Sequence, residues 1–211
     1  MSLHPFPYQL YLVISEADCI GKNFLTVAEE AILGGVDIIQ LREKNDSTEL
    51  FVQKAQKLME ITEKYGIPLI INDHIEVAEK VNSAGIHVGN SDTAPTFLRQ
   101  LPSIQNKIIG YSIEYLAQLE NEQTMVSDYL GISPVFKTHT KTDTITEWGL
   151  EGVAKIRQLT EKPLVAIGSI HLGNAKEVLN AGADSLAVVS AICSAANPQK
   201  AAYELKNEIL K

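Results

Sequence analysis

The sequence predicts an α/β fold, a single (β/α)8 TIM barrel. Short β-branched apolar runs alternate with longer amphipathic stretches along the 211 residues, separated by polar or Gly-rich breaks. About eight such runs can be counted, which is the number of strands in a closed parallel barrel. No GxGxxG motif follows the first run, and this disfavours an open dinucleotide-binding sheet.

Each run is nearly continuous in apolar residues, as expected of strands covered by helices and packed inside a barrel. The predicted strands span residues 8–14, 36–41, 68–72, 85–88, 107–111, 128–132, 163–167 and 185–189. The clearest helix is predicted at 47–65, where apolar residues recur at three-to-four spacing and Ser47 is the expected N-cap. No Ser/Pro-rich linker or charge block divides the chain, so we predict one catalytic domain over residues 1–211.

Composition restricts the class of partner. A net charge of −8 disfavours nucleic acid and anionic membranes, so an anionic ligand is expected to be small and held by a local basic cluster. Cys19 and Cys193 have no CxxC or zinc-type spacing, which predicts free thiols in a reducing compartment. No apolar run approaches about 20 residues and no basic leader begins the chain, so we expect a cytoplasmic protein. The sequence does not decide between a monomer and a homo-oligomer.

Polar residues collect where the predicted strands end, and in this fold those ends form one rim, on which active sites are built. Strand two ends in a segment whose period-two alternation sends Gln40, Arg42 and Lys44 to one side. An amide, a guanidinium fork and a mobile ammonium suit the oxygens of a diphosphate. The alternative is that Arg42 and Lys44 only pair with carboxylates of the barrel.

Two carboxylates follow neighbouring strands. Asn72 and Asp73 close strand three, and Asp92 follows strand four, so Asp73 and Asp92 can reach one ion because adjacent strands lie about 4.8 Å apart. Together with water and phosphate oxygens they describe a Mg²⁺ site better than a Ca²⁺ cage. The alternative is that both aspartates cap helices. We interpret the nearby His87 as a structural residue and not as a metal ligand.

Two further segments point to a second anion. The segment 133–141 carries hydroxyls and two lysines and is long for a βα turn, which predicts a cationic lid or, alternatively, a solvated loop. Ser112 either adds a hydroxyl to the site or caps the next helix. The ends of strands seven and eight, Gly168-Ser169 and Val189-Ser190, predict a monophosphate cup of backbone N–H groups, with a simple tight turn at Gly168 as the alternative.

The chain from about Tyr11 to Leu210 resembles the thiamine phosphate synthase family. The motifs that carry the resemblance are QLREK (40–44), IIND (70–73), HVGNSD (87–92), GYS (110–112), PVFKTHTK (134–141), AIGSI (166–170) and AVVSAI (187–192). Each motif is weakly specific, but together, in family order and spacing, they are highly specific. The resemblance implies that a hydroxymethylpyrimidine diphosphate is coupled to a thiazole phosphate, through a pyrimidine-methyl cation, to give thiamine phosphate and pyrophosphate with Mg²⁺.

The resemblance also implies roles for individual residues. Those that would bind the pyrimidine diphosphate are Gln40, Arg42, Lys44, Asn72, Ser112 and Lys141. Those that would bind the thiazole phosphate are Thr138, Thr140, Gly168, Val189 and Ser190. Those that would bind Mg²⁺ are Asp73 and Asp92.

The chain departs from the family pattern at four positions, with His74 in place of Arg, Asn90 of Gln, Ser133 of Gly, and Ser169 of the second Gly of AIGGI. Of these, only Ser169 is expected to bear on function: its side chain would limit the approach of the backbone to the thiazole phosphate, or its hydroxyl would donate a compensating hydrogen bond. Two other hypotheses stay open: a thiazole tautomerase, with His74 or His139 as acid–base residue, and a non-catalytic phosphometabolite-binding barrel.

Overall fold

The computed structural model describes residues 6–138 and 146–211, and within them eight parallel strands close into a barrel in sequence order. The strands are β1 (Leu10–Ile14), β2 (Ile38–Leu41), β3 (Leu69–Asn72), β4 (Gly85–Val88), β5 (Ile108–Ile113), β6 (Tyr129–Ile132), β7 (Leu164–Ile167) and β8 (Ser185–Val188). The predicted (β/α)8 barrel is confirmed, and each predicted strand corresponds to one observed strand with ends that differ by two residues or fewer.

Helices connect the strands on the outside of the barrel. They are α1 (Phe24–Leu33), α2 (Thr48–Tyr65), α3 (Ile75–Lys80), α4 (Pro95–Leu98), α5 (Glu122–Val126), α6 (Gly149–Leu159), α7 (Ala175–Asn180), α8 (Ser190–Cys193) and α9 (Pro198–Ile209). The predicted helix 47–65 is confirmed as α2: the Ser47 side chain accepts a hydrogen bond from the Leu50 N–H, and Gly66 ends the helix with φ of 67°. Across the described residues, we find no helix with the length and apolar character needed to cross a membrane.

The barrel encloses its own small core, separate from the larger one between strands and helices. Alternation along each strand sends one set of side chains inward, where the buried cluster contains Tyr11, Val13, Ile38, Ile70, Ile108, Tyr129, Val165 and Ala187. Phe6 closes the amino-terminal end of this core, with its ring centroid 4.4 Å from that of Tyr129. The interior is therefore filled at one end, and the strand residues that follow open into a pocket at the other.

Strand β5 is longer than predicted and this settles the place of Ser112. The strand continues to Ile113, and Ser112 stays in register with Gly131 of β6. The Ser112 hydroxyl is within 2.9 Å of His87 Nε2, so it lies inside the barrel and does not cap the next helix. Both cysteines, Cys19 and Cys193, are buried free thiols, as the sequence predicted.

Candidate active site

The site is a pocket at the carboxyl end of the strands, with a volume of about 1100 Å³ including its open mouth. It receives residues from all eight strands, β1 to β8, and from the loops that follow several of them. The sequence-predicted site residues that line it are Gln40, Arg42, Lys44, Asn72, Asp73, Asp92, Ser112, Thr138, Gly168, Val189 and Ser190. The remaining two, Thr140 and Lys141, lie outside the described residues, as does His139.

The end of β2 follows the predicted alternation. Gln40, Arg42 and Lys44 line the pocket, whereas Glu43 points away, with its Oε1 3.2 Å from the Lys54 Nζ and 2.8 Å from the Glu16 N–H. No side chain among the described residues forms an ion pair or hydrogen bond with the Arg42 guanidinium. Arg42 therefore brings into the pocket a positive charge that no side chain in the described part of the chain pairs with directly.

Lys44 differs from Arg42 because it already has a partner. Its Nζ lies 2.5 Å from the Asp73 Oδ2, and the Asn72 amide donates to the same oxygen at 2.6 Å. The alternative foreseen for the cations, pairing with a barrel carboxylate, thus applies to Lys44 and not to Arg42. Asp73 has φ of 60°, a conformation that Asp and Asn tolerate better than most residues, and it turns the carboxylate into the pocket.

Asp92 lies close enough to Asp73 for the Asp73 carboxylate to affect the ionisation of Asp92. Partial burial raises the pKa of Asp92, and the neighbouring Asp73 carboxylate raises it further. The Gly89 N–H donates to Asp92 Oδ2 at 2.7 Å, and a Cβ at position 89 would stand 3.0 Å from the same oxygen. A partly buried carboxylate with a second carboxylate nearby is an environment that a divalent cation would stabilise.

A second part of the pocket is formed by the loops after β6, β7 and β8. Gly168 has φ of 120°, and a Cβ there would stand 2.6 Å from Pro134 Cβ and 2.8 Å from the Val135 nitrogen, so only glycine fits. Ser190 is the first residue of α8, which places Val189 and Ser190 where the backbone turns from strand to helix. Loop backbone at this place is the common phosphate-binding element of the fold.

Ser169 occupies the family's glycine position in a left-handed conformation, with φ of 50°. Its hydroxyl donates to the Lys137 carbonyl at 2.6 Å, and its own carbonyl accepts from the Asn174 amide at 3.1 Å. The side chain is therefore engaged by the neighbouring loop, and the hydrogen bond offsets part of the conformational cost of a non-glycine residue there.

The sequence patterns did not predict Tyr11 and Tyr129 as pocket residues, and they indicated only a structural role for His87. Tyr11, Tyr129 and His87 all line the floor of the pocket. The signal that points to them is a pair of glycines inside strands, Gly110 and Gly131, because glycine in a strand marks the close approach of another group. A Cβ at Gly110 would stand 2.1 Å from the Tyr129 ring, and one at Gly131 would stand 3.0 Å from the His87 ring.

The sequence profile of the thiamine monophosphate synthase family matches residues 10–192, a range that includes all eight strands. The chain belongs to the thiamine monophosphate synthase family. Curated relatives agree with this membership: a thiamine-phosphate synthase from Albidiferax ferrireducens is 46% identical over 203 residues, covering 95% of this chain and 91% of that protein. The thiamine-phosphate synthase of Vibrio parahaemolyticus is 42% identical over 198 residues, covering 94% and 96%.

Solved structures give the same result for the fold. The thiamine phosphate pyrophosphorylase of Pyrococcus furiosus superposes with a TM-score of 0.87 at 32% identity and covers 97% of this chain and 96% of its own. A 3-hexulose-6-phosphate synthase superposes with a TM-score of 0.68 at 17% identity, and this similarity concerns the barrel alone. Membership of the thiamine monophosphate synthase family makes the chain an enzyme of the transferase class.

The other departures from the family pattern lie around the pocket. Ser133 lines the pocket, and the Asn90 amide oxygen accepts from the Tyr111 hydroxyl at 3.1 Å. His74 precedes α3, with its Nε2 3.1 Å from the Thr48 hydroxyl, and it lines a shallow depression next to the pocket. His74 is thus held by α2 and lines only the depression, whereas Asp73 lines both the depression and the main pocket.

Proposed function

We propose that the pocket joins a hydroxymethylpyrimidine diphosphate to a thiazole phosphate, giving thiamine phosphate and pyrophosphate. The observation that carries this proposal is that Arg42, which has no side-chain partner among the described residues, shares one cavity with Asp73 and Asp92 and with the Gly168 and Ser190 loops. One cavity then offers one region for a diphosphate with a cation and another for a monophosphate. Two phosphorylated substrates fit this division.

The diphosphate binds, in this proposal, at the ends of β2, β3 and β5. Arg42 forms a bidentate contact with phosphate oxygens, because its planar guanidinium has no other partner in the described structure. Lys44 adds a second positive charge without leaving Asp73. Gln40, Asn72 and Ser112 bind the pyrimidine end, and Lys141, which lies outside the described residues, completes this set.

The residues present fit a magnesium ion. Asp73 and Asp92 supply hard carboxylate oxygens next to the diphosphate region. Burial raises the pKa of Asp92 and the nearby Asp73 carboxylate raises it further, and a divalent cation would favour the ionised form. Two carboxylates, with water and phosphate oxygens as the other ligands, are the usual composition of such a site. When bound, the ion supplies charge neutralisation for the departing pyrophosphate.

The thiazole phosphate binds at Thr138, Thr140, Gly168, Val189 and Ser190. Backbone N–H groups of the β7 and β8 loops suit a monophosphate, and a Cβ at Gly168 would block the close approach of the neighbouring loop. The thiazole ring is then held with its nitrogen facing the methylene carbon of the pyrimidine.

The reaction follows from this placement. The bond between the methylene carbon and the diphosphate oxygen breaks, and its electron pair leaves with pyrophosphate while Arg42 and Lys44 stabilise the developing charge. The thiazole nitrogen donates its lone pair to the resulting pyrimidine-methyl cation and forms the new C–N bond. No protein nucleophile is needed, because alignment of the two substrates and charge stabilisation supply the acceleration.

The test is incubation of the enzyme with both substrates and Mg²⁺. We expect thiamine phosphate and pyrophosphate in equal amounts, and neither product when the thiazole phosphate is omitted or the metal is chelated. Binding of both substrates without product would support the non-catalytic barrel instead. Isomerisation of a thiazole precursor without pyrophosphate release would support the tautomerase.

The placement of His74 supports the synthase over the tautomerase. His74, one of the two acid–base candidates for a tautomerase, lines the adjoining depression and is not among the residues that line the main pocket. A cytoplasmic location, the absence of nucleic-acid and membrane partners, and the oligomeric state stay predictions, which fractionation and size measurements will test.

A further inference from the structure

A continuous chain of buried hydrogen bonds crosses the floor of the pocket. The Gln40 amide nitrogen lies 2.8 Å from the Tyr11 hydroxyl, which lies 2.9 Å from the Tyr129 hydroxyl. The Tyr129 hydroxyl lies 2.9 Å from His87 Nδ1, and His87 Nε2 lies 2.9 Å from the Ser112 hydroxyl. Tyr11, Tyr129 and His87, which we call the floor chain, thus connect two residues that both face the substrate pocket.

The fold is built to hold the floor chain in place. The Tyr129 and His87 rings stack with centroids 5.5 Å apart and an interplanar angle of 25°, and the Phe6 ring packs on the Tyr129 ring. A Cβ at Gly110 would stand 2.4 Å from both His87 Nδ1 and the Tyr129 hydroxyl, so the neighbouring strand contributes only backbone there. Rotation of either ring would leave a buried hydroxyl without its partner.

The orientation of the Gln40 amide sets the direction of every bond in the chain, provided that each buried hydroxyl uses its one proton within the chain. The Gln40 N–H donates to Tyr11, so the Tyr11 proton is donated to Tyr129, and the Tyr129 proton to His87 Nδ1. A neutral imidazole that accepts at Nδ1 carries its hydrogen on Nε2 and donates it to Ser112. Two groups are then left for a ligand: the Gln40 Oε1 as an acceptor and the Ser112 hydroxyl as a donor.

We propose that Tyr11, Tyr129 and His87 are positioning residues that lock Gln40 as an acceptor and Ser112 as a donor, so that the pocket selects an aminopyrimidine. This assignment rests on the proposed function. An aminopyrimidine presents an exocyclic N–H donor and a ring-nitrogen acceptor, which is the complementary pair. The chain couples the two contacts, because reversing one end requires every bond between them to reverse.

The polarity of the floor chain is tested without any substrate, by ¹⁵N NMR of the histidine side chains in the unliganded enzyme. The chain predicts that the His87 ring is neutral with its hydrogen on Nε2, and the resonance is assigned by its loss in His87→Gln. A hydrogen on Nδ1, or on both nitrogens, would overturn the proposal. This result does not depend on turnover, so it stays informative even if no thiamine phosphate is formed.

The role in selection is tested with Tyr11→Phe, Tyr129→Phe and the double variant, each of which removes hydroxyl groups and keeps the rings. The substrates are the aminopyrimidine diphosphate and its desamino analogue, compared by kcat/KM. A site that hydrogen-bonds a substrate group rejects the analogue lacking it, so we expect wild type to prefer the aminopyrimidine strongly. We expect each single variant to reduce this preference by about tenfold or more, since Gln40 is then free to rotate.

The double variant distinguishes a chain from two independent contacts. If the floor chain acts as one unit, cutting it twice lowers the preference no further than cutting it once, whereas independent contacts give additive losses. Tyr111→Phe is the matched control, because Tyr111 is a buried tyrosine of β5 with two hydrogen bonds that lie outside the pocket. Additive losses in the double variant would overturn the proposal. The proposal would also be overturned if both single variants kept the wild-type preference and the wild-type KM for the pyrimidine diphosphate.

Discussion

Replacement of Arg42 by alanine tests the diphosphate site most directly. The guanidinium has no partner among the described residues, so its removal leaves no buried carboxylate unpaired and the fold is expected to be unaffected. Lys44→Ala would be harder to interpret, because it also releases Asp73 from a 2.5 Å ion pair. Any loss in Arg42→Ala therefore belongs to the ligand.

The size of the loss follows from the kind of contact. One hydrogen bond to a charged group contributes about 1.5–3 kcal/mol, and a bidentate contact contains two. Solvent partly reaches Arg42, so we use the low end for each bond and expect a net loss of about 3 kcal/mol in transition-state stabilisation. Each 1.36 kcal/mol changes a rate constant tenfold, and kcat/KM for the pyrimidine diphosphate should fall by roughly 100-fold. Arg42→Lys should recover part of this loss, since it keeps the charge without the planar fork.

The assay is steady-state pyrophosphate release at saturating thiazole phosphate and Mg²⁺, together with thermal unfolding. Lys57→Ala is the matched control, because Lys57 is exposed on α2 and its removal changes the net charge by the same amount. A kcat/KM for Arg42→Ala within threefold of wild type would refute the assignment. A similar fall in Lys57→Ala would attribute the effect to net charge.

Three further substitutions have defined outcomes. Asp73→Asn, which suits the left-handed φ of 60°, should abolish Mg²⁺-dependent turnover while the melting temperature is retained; normal metal dependence would contradict the proposed ligand. Ser169→Gly should change the free energy of unfolding by less than about 1 kcal/mol in urea titrations, because relief of the strained φ offsets loss of the bond to Lys137; a larger loss would show that the hydroxyl dominates. Asp128→Ala should destabilise by about 3–5 kcal/mol, since it breaks a buried 2.5 Å pair with Arg99, and a loss below about 1 kcal/mol would contradict this.

The sequence predicted the barrel and most of the pocket because both depend on local patterns. Continuous apolar runs predicted the strands. Polar residues at the strand ends predicted that Gln40, Asp73 and Ser112 lie at one end of the barrel. Alternation along β2 was sufficient to separate Lys44 from Glu43.

The floor of the pocket was beyond sequence reasoning because it depends on pairs far apart in the chain. Tyr11 and Tyr129 are separated by 118 residues, and each has the pattern of an ordinary strand residue. Whether Lys44 or Arg42 pairs with Asp73 also depends on the turn that follows β3, which no spacing rule specifies. Only Gly110 and Gly131, placed inside strands, gave a local sign of the packed rings.

The aromatic layer of Phe6 and Tyr8 beneath Tyr129 has a consequence for the order of events. With the amino-terminal end of the barrel filled, reactants and products share one entrance at the opposite end. The cavity is then closed at one end, so the substrate that binds deepest must enter first. A pyrimidine seated on Gln40 and Ser112 would be that molecule, and the thiazole would cover it.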